Sequence, residues 1–305
     1  MTILTNTALG TYRLCPRKYR NRYLYRLVRA RRAVALRFGS AFHAGLDMFN
    51  KGSPSMVVLA WLKSAYDICP DWAEPADWQV EYQTLRQLLE AHFWRYSKDN
   101  LELMASETTF SIPLVDPATQ LVSELFSLAG KIDAIVRMDD GRLALLEYKT
   151  AGEDIGPNSD YWQRLHADSQ LSLYILAARA AGYDVSTCLY DVTRKPTIRC
   201  KKTETPEQYS TRLYEDINER PEYYFQRREI PTLEDELREF QVELWQQICA
   251  LQDSMAHGRW YRNINRMTCA YCEYSELCFN NIHVDPGQTP LGFEIIADPH
   301  PELSA

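Results

Sequence analysis

The sequence predicts a layered α/β or α+β core, because helical, β-rich and again helical stretches follow one another along the chain. Residues 55–96 read as helical hairpins broken at Pro70 and Pro75. The texture then changes to β-rich runs over 108–115, 125–138 and 143–149. A long helix is expected to follow over 160–181.

Each element has a local reason. Thr7 is expected to cap a helix running through Cys15 to about Leu27, and a second helix fits 38–49. Asp139-Asp140-Gly141 forms a tight turn between the second and third β-rich runs. Gly182 stops the long helix. Residues 185–193 and 197–202 look like a further strand pair. Helices around 206–219 and 233–257 complete the body, and the proline-rich last twenty residues are expected to form a loosely held tail.

Composition excludes several classes. The fractions of apolar, aromatic and charged residues are those of an ordinary soluble globular protein, and 305 residues suffice for one large domain or two small ones. The N-terminus lacks a basic region followed by an apolar core, and apolar runs are interrupted too soon to span a bilayer. A cytoplasmic location with no membrane partner is expected. In a reducing compartment, eight cysteines read as metal ligands plus buried thiols rather than disulfides. No repeat and no phosphate-binding motor loop is present.

The net charge of −7 is unevenly spread. Residues 1–46 contain no acid but hold Arg13, Arg17, Lys18, Arg20, Arg22, Arg26, Arg29, Arg31, Arg32 and Arg37, with Tyr12, Tyr19, Tyr23 and Tyr25 among them. This mixture suits a phosphate backbone and stacked bases. It equally suits a solvated helix face whose tyrosines pack inward.

Cys269, Cys272 and Cys278 make a C-x2-C-x5-C run. Three thiolates leave a four-ligand site incomplete, and Cys15 is the best fourth candidate. Spacing alone leaves zinc and an iron–sulfur cluster both open. Cys69, Cys188, Cys200 and Cys249 read as core thiols.

The acidic constellation is Gly130-Lys131-Ile132-Asp133 followed by Glu147-Tyr148-Lys149. On a strand Glu147 and Lys149 share a face, and a hairpin would bring Asp133 towards Glu147. Crowding two carboxylates is costly unless a divalent cation such as Mg²⁺ or Mn²⁺ offsets their repulsion. An exposed strand end with a simple Glu-Lys pair is the plainer alternative. Gln170 and Tyr174 fall at i and i+4 on the next helix and can both turn to this site, although Tyr174 also suits a core position. His43 is either a packing residue or an imidazole ligand favouring Mn²⁺.

In chain order, Cys15, His43, Gly130-x-x-Asp133, Glu147-x-Lys149, Gln170-x-x-x-Tyr174, Cys269, Cys272 and Cys278 resemble the iron–sulfur branch of the PD-(D/E)XK nuclease superfamily. That branch includes RecB-type domains, the nuclease half of AddB and CRISPR-associated spacer-processing nucleases. The resemblance implies a restriction-endonuclease-like α/β core with a central mixed sheet flanked by helices. It implies a 4Fe–4S cluster on the four named cysteines and Mg²⁺ or Mn²⁺ on His43, Asp133, Glu147 and the Tyr148 carbonyl. Asp133, Glu147 and Lys149 would be catalytic, and Gln170, Tyr174, Arg13 and Arg17 would touch nucleic acid.

One nuclease domain over 1–284 is expected, with a helical insertion at about 54–105. A cluster lobe from about 8–30 and 258–284 and a tail over 285–305 complete the division. The expected substrate is DNA, single-stranded or with a single-stranded end, degraded preferentially 5′ to 3′ in recombination, repair or phage DNA processing. A bacterial or phage origin and a helicase or recombination partner follow from the same resemblance. A spacer-processing nuclease and a non-catalytic DNA-binding scaffold are the alternatives; the long helical segment 55–96 weighs against the first.

Overall fold

The computed structural model describes residues 1–30, 34–165 and 168–303. Arg31 and Arg32 of the basic arm lie outside the described residues. The chain begins with β1 (Thr2–Leu4) and α1 (Asn6–Leu14). The Thr5 hydroxyl, rather than that of Thr7, caps α1 by accepting the Ala8 amide at 3.1 Å. Pro16 forces Cys15 into an extended conformation, so the expected long first helix breaks there. It resumes as α2 (Pro16–Tyr19) and one π-helical turn, Arg20–Leu24. Next come β2 (Leu27–Arg29), α3 (Val34–Asn50), α4 (Ser55–Ala65) and α5 (Pro75–Arg95).

The central strands are β3 (Glu102–Val115), β4 (Val122–Arg137) and β5 (Leu143–Ala151). Then α6 (Asp160–Leu165), α7 (Ser169–Ala180) and β6 (Val185–Arg194) follow. The expected 160–181 helix is therefore two helices. Asp168 caps the second by accepting the Gln170 amide at 2.9 Å, and also accepts the Tyr190 hydroxyl at 3.0 Å. The remainder is α8 (Pro206–Glu219), α9 (Pro221–Tyr224), β7 (Phe225–Pro231) and α10 (Glu234–His257). After these come α11 (Arg266–Ala270), α12 (Ser275–Phe279), β8 (Phe293–Ile295) and a 3-10 turn, Pro301–Leu303.

Six strands form a mixed sheet in the order β1-β4-β5-β6-β7, with β3 also on β4. β1 runs parallel to β4 and β5 parallel to β6; the other pairs are antiparallel. The expected strand over 197–202 is absent from the described sheet. The edge of β6 it would have taken is filled by β7, which is brought back by α8.

The two faces carry separate cores. Ile135, Leu145 and Val192 pack with Leu171 and Ile175 of α7 and Leu244 and Ile248 of α10. Val136, Leu146 and Tyr148 pack with Phe42 and Leu46 of α3, Leu88 of α5 and Leu213 of α8. Alternating side chains of β5 feed opposite layers, as a strand covered on both faces requires. This is an α/β fold with a central mixed sheet flanked by helices.

The C-terminal segment is not a loose tail. β8 pairs antiparallel with β2, Tyr274 and Leu277 pack with Leu27 and Phe293, and the Thr5 hydroxyl donates to Glu302 at 3.0 Å. His300 stacks on Tyr23 at 5.1 Å. Proline suppresses regular elements here, but it does not prevent side-chain and edge contacts.

Candidate active site

The long strand β4 carries β3 along one edge and shares its other edge between two partners. β1 is paired up to Leu128, and β5 only from Ala134 onward. Residues 129–133 therefore lie in a fork, and the candidate site side chains gather there. Asp133 takes over where the β4–β5 ladder stops: its Oδ2 accepts the Tyr148 amide at 2.9 Å. On a strand, a residue's N–H and C=O face the same neighbour, so the Tyr148 carbonyl is directed into the same opening.

Both flanking layers reach the fork. From α3, His43 brings Nδ1 to 3.6 Å from Asp133 Oδ2. Burial alone would lower this imidazole, but Asp133 beside it, with Glu147 further off, raises it overall. From α7, Gln170 donates to Glu147 Oε1 at 2.6 Å while its own carbonyl oxygen accepts Lys149 at 3.1 Å. Lys149 closes the triangle by donating to the same Glu147 oxygen at 2.7 Å. Burial, followed by the Asp133 charge, pushes the Glu147 carboxyl up to about 7. Burial opposes the Lys149 charge, but Glu147 outweighs it and raises the ammonium.

Gly130 is required by packing. A Cβ there would stand 2.6 Å from the Phe110 ring and 2.9 Å from the Tyr174 ring. These rings meet edge-on at 5.5 Å over the glycine and form one wall of the fork. A cleft of about 1080 Å³ opens from it, lined by Asn6, His43, Asp133, Gln170 and Tyr174, among others.

Residues 4–279 match the PD-(D/E)XK nuclease superfamily. The chain belongs to the PD-(D/E)XK nuclease superfamily. Enzymes of this superfamily are hydrolytic nucleases that typically use Mg²⁺ or Mn²⁺. A solved "putative exonuclease" from Eubacterium rectale is similar in fold, at 13% identity and a TM-score of 0.50, covering 95% of this chain and 90% of that one. A second solved structure, SSO0001, shares 14% identity over 92% of this chain and 87% of its own at a TM-score of 0.36. No curated protein matches the sequence.

Against the family's motif set, the structure brings His43, Asp133, Glu147, Tyr148, Lys149, Gln170 and Tyr174 together. Arg13 is not part of the cleft lining; it donates at 2.9 Å to Ser169, the residue before Gln170 at the start of α7. Arg17 does not face the cleft: its guanidinium donates to the Trp260 carbonyl at 3.2 and 3.1 Å. Much of the arm acts likewise. Arg29 donates to the Glu273 carbonyl and Arg26 to that of Ala297, Arg37 pairs with Glu81, and Tyr12, Tyr19 and Tyr23 are buried. The arm's charge here serves mainly to bind other parts of the chain.

The four cysteines converge from both chain ends. The Asn263 amide donates to the Leu14 carbonyl at 3.0 Å, and the Arg17 amide to that of Tyr261 at 3.2 Å. Burial first, then Cys278 and Cys15, raise the Cys272 thiol; burial, then Cys15 and Cys269, raise Cys278. Among the described residues, however, no three His, Cys, Asp or Glu side chains are gathered tightly enough to hold a metal ion. Of the expected core thiols, Cys188 is buried and Cys69 and Cys200 half-buried, whereas Cys249 is exposed because Ile248 and Leu251 take the inner side of α10. No described helix is long and apolar enough to cross a membrane.

Sequence reasoning missed Lys131 and Glu107, which line the cleft together. Lys131 was legible, since period-2 alternation puts it on the side of Asp133. Nothing local announced Glu107. Thr5 and Glu302 also line the cleft, and their placement depends on pairing between the chain ends.

Proposed function

We propose that this chain is a divalent-metal-dependent DNA exonuclease acting on single-stranded ends, with 5′ to 3′ degradation favoured. The reading rests above all on the fork, where Asp133 accepts the amide of Tyr148, the residue between Glu147 and Lys149, and Lys149 is fixed between Glu147 and Gln170. Asp133, Glu147, His43 and the Tyr148 carbonyl would hold Mg²⁺ or Mn²⁺ once drawn together, since among the described residues no three such side chains are already gathered around one point. The donor chemistry fits, because a buried carboxyl pushed up to about 7 beside a second carboxylate is relieved by a cation. Bound there, such an ion supplies Lewis-acid charge to a phosphate oxygen.

The chain's own groups do the rest. Gln170 holds Lys149 by its carbonyl, so the ammonium has one orientation. Lys149 then orients the attacking water or stabilises charge on the scissile phosphate. Asp133 fixes the Tyr148 backbone, and His43 braces Asp133 from α3. The exposed Arg13 and the cleft wall at Tyr174 would meet the DNA backbone, with Gln170 at the boundary of both roles.

Cys15, Cys269, Cys272 and Cys278 would hold a structural 4Fe–4S cluster joining the chain ends. Arg17, Lys18 and Arg262 offset part of the rise that burial gives the Cys272 and Cys278 thiols. A four-iron cube is larger than one ion, so its ligands stand further apart than four thiolates around zinc. On this reading 1–284 form the nuclease domain with a helical insertion at about 54–105. The lobe from 8–30 and 258–284 is extended by the β8 pairing.

The test is degradation of 5′- and 3′-labelled single-stranded and duplex DNA with Mg²⁺ or Mn²⁺. Stepwise loss of the 5′ label from single-stranded ends supports the proposal. Binding without any cleavage would instead make the chain a DNA-binding scaffold that has kept the fold.

A further inference from the structure

Resting on the nuclease reading above, we propose that Lys131 is a substrate-phosphate contact of the catalytic cleft, held ready by Glu107 on the neighbouring strand.

Lys131 stands two residues before Asp133 on β4, and both line the cleft. Period-2 alternation directs them to one side of the strand. Lys131 is ion-paired with Glu107, whose side chain is only 24% exposed against 18% for Lys131. This pair is therefore part of the cleft wall and feels less screening than a surface pair would.

The backbone of Glu107 carries the second observation. Ser106 pairs with Ala134 and Thr108 with Ile132, so Glu107 lies directly opposite Asp133. Yet its φ is +48°, within a fourteen-residue strand. A glutamate in the left-handed region costs on the order of 1 kcal/mol or more, and persists only where the surroundings impose it. Here the ladder on both sides imposes it, and the result is that the Glu107 carboxylate meets Lys131 inside the cleft.

The charges in the cleft explain why a lysine is needed. Asp47, Glu107, Asp133 and Glu302 all line it, and a polyanionic strand entering must be met by cations. Lys51 is already committed to Asp47 at 2.7 Å. The β4–β5 ladder ends at Ala134 and Leu146, so Lys131 lies on the β4 arm of the fork and Lys149 on its β5 arm. Each strand thus carries one lysine two residues from an acid, Lys131 before Asp133 and Lys149 after Glu147. Lys149 is held for the scissile phosphate. Lys131 is placed for a neighbouring phosphate, which replaces the Glu107 carboxylate as its partner when DNA enters.

The experiment uses the full-length protein and a single-stranded oligonucleotide, measuring affinity across a salt series and, with Mg²⁺ or Mn²⁺, kcat and KM. Lys131→Ala should weaken binding about tenfold at low salt and reduce the slope of log K against log salt by about 0.7, the value for one single-strand phosphate contact. KM should rise while kcat stays within about twofold. Lys131→Arg should restore the slope, and Glu107→Gln should tighten binding severalfold. Lys131→Gln provides the same readout if the alanine variant does not fold. A folded Lys131→Ala or Lys131→Gln with wild-type slope and KM overturns the proposal. Equal loss of melting temperature in the Ala and Arg variants, with no change of slope, also overturns it by leaving only a structural role. A wild-type protein that neither binds nor cleaves DNA fails the nuclease reading itself.

Discussion

Asp133 bridges the opened β4–β5 ladder by accepting the Tyr148 amide at 2.9 Å. One carboxylate thus has two tasks, backbone support through this bond and the proposed cation binding. The tasks separate by substitution. Asp133→Asn keeps an acceptor for the Tyr148 amide and should melt near wild type. Asp133→Ala leaves that amide unpaired, at a cost of about 1–3 kcal/mol. Cleavage should fall in both by on the order of 10² or more. Thermal melts beside labelled-DNA assays check this; an asparagine variant as unstable as the alanine one would contradict it.

Gly130 predicts a steric effect. In Gly130→Ala the new methyl meets Phe110 at 2.6 Å, and the ring is confined by Tyr174. Destabilisation of about 1–3 kcal/mol is expected, as for other overpacked interiors. Adding Phe110→Leu should recover part of it, giving a coupling energy in a double-mutant cycle by denaturant titration. Strict additivity would show that the ring does not constrain the glycine.

On β6, beside β5, Asp191 is buried and accepts His92 at 3.0 Å and Arg227 at 3.0 and 2.5 Å. Burial would raise its carboxyl, but His92 and Arg227 outweigh that and depress it to about 2. A depressed carboxylate stabilises the fold fully above its unfolded value near 4, and the contribution disappears as pH falls towards 2. About 2 kcal/mol should be lost over that window. Melting curves from pH 6 to 2.5 should show the loss in wild type but not in Asp191→Asn. The variant should already be weaker at pH 7, since it leaves the buried Arg227 undercompensated.

The cysteine lobe predicts a visible signature. Protein purified without oxygen should be brown, and Cys272→Ala should lose both the colour and several degrees of melting temperature, because ligand binding contributes directly to folding in such sites. A colourless wild type containing zinc would assign the lobe to a single ion. Full stability of a colourless variant would remove the cluster's structural role.

Much of the site could be read from the sequence because its parts are local. The Asp139-Asp140-Gly141 turn brings Asp133 near Glu147, and i, i+4 spacing puts Gln170 and Tyr174 on one face. What was not legible depends on pairings distant in sequence. β1 joins β4 across more than a hundred residues, and β7 replaces the expected strand over 197–202. Without β1 the fork itself is invisible, and so is the cleft at Thr5 and Glu302. The arm misleads for a different reason. Composition counts the charge of Arg17, but only the fold shows that it is bound to the Trp260 carbonyl. Glu107 was hidden because its positive φ is imposed by the ladder around it and not by a glycine in the sequence.

The proposed metal-dependent nuclease centre is the fork at Asp133, Glu147 and Lys149. The most direct measurement is cleavage of end-labelled single-stranded DNA as Mn²⁺ is titrated, run with wild type, Glu147→Gln and Lys149→Ala, alongside calorimetric Mn²⁺ binding. Metal-dependent cleavage is expected of wild type alone. Lys149→Ala should retain Mn²⁺ binding, whereas Glu147→Gln should lose it. Cleavage independent of added metal, or undiminished in both variants, would contradict this assignment.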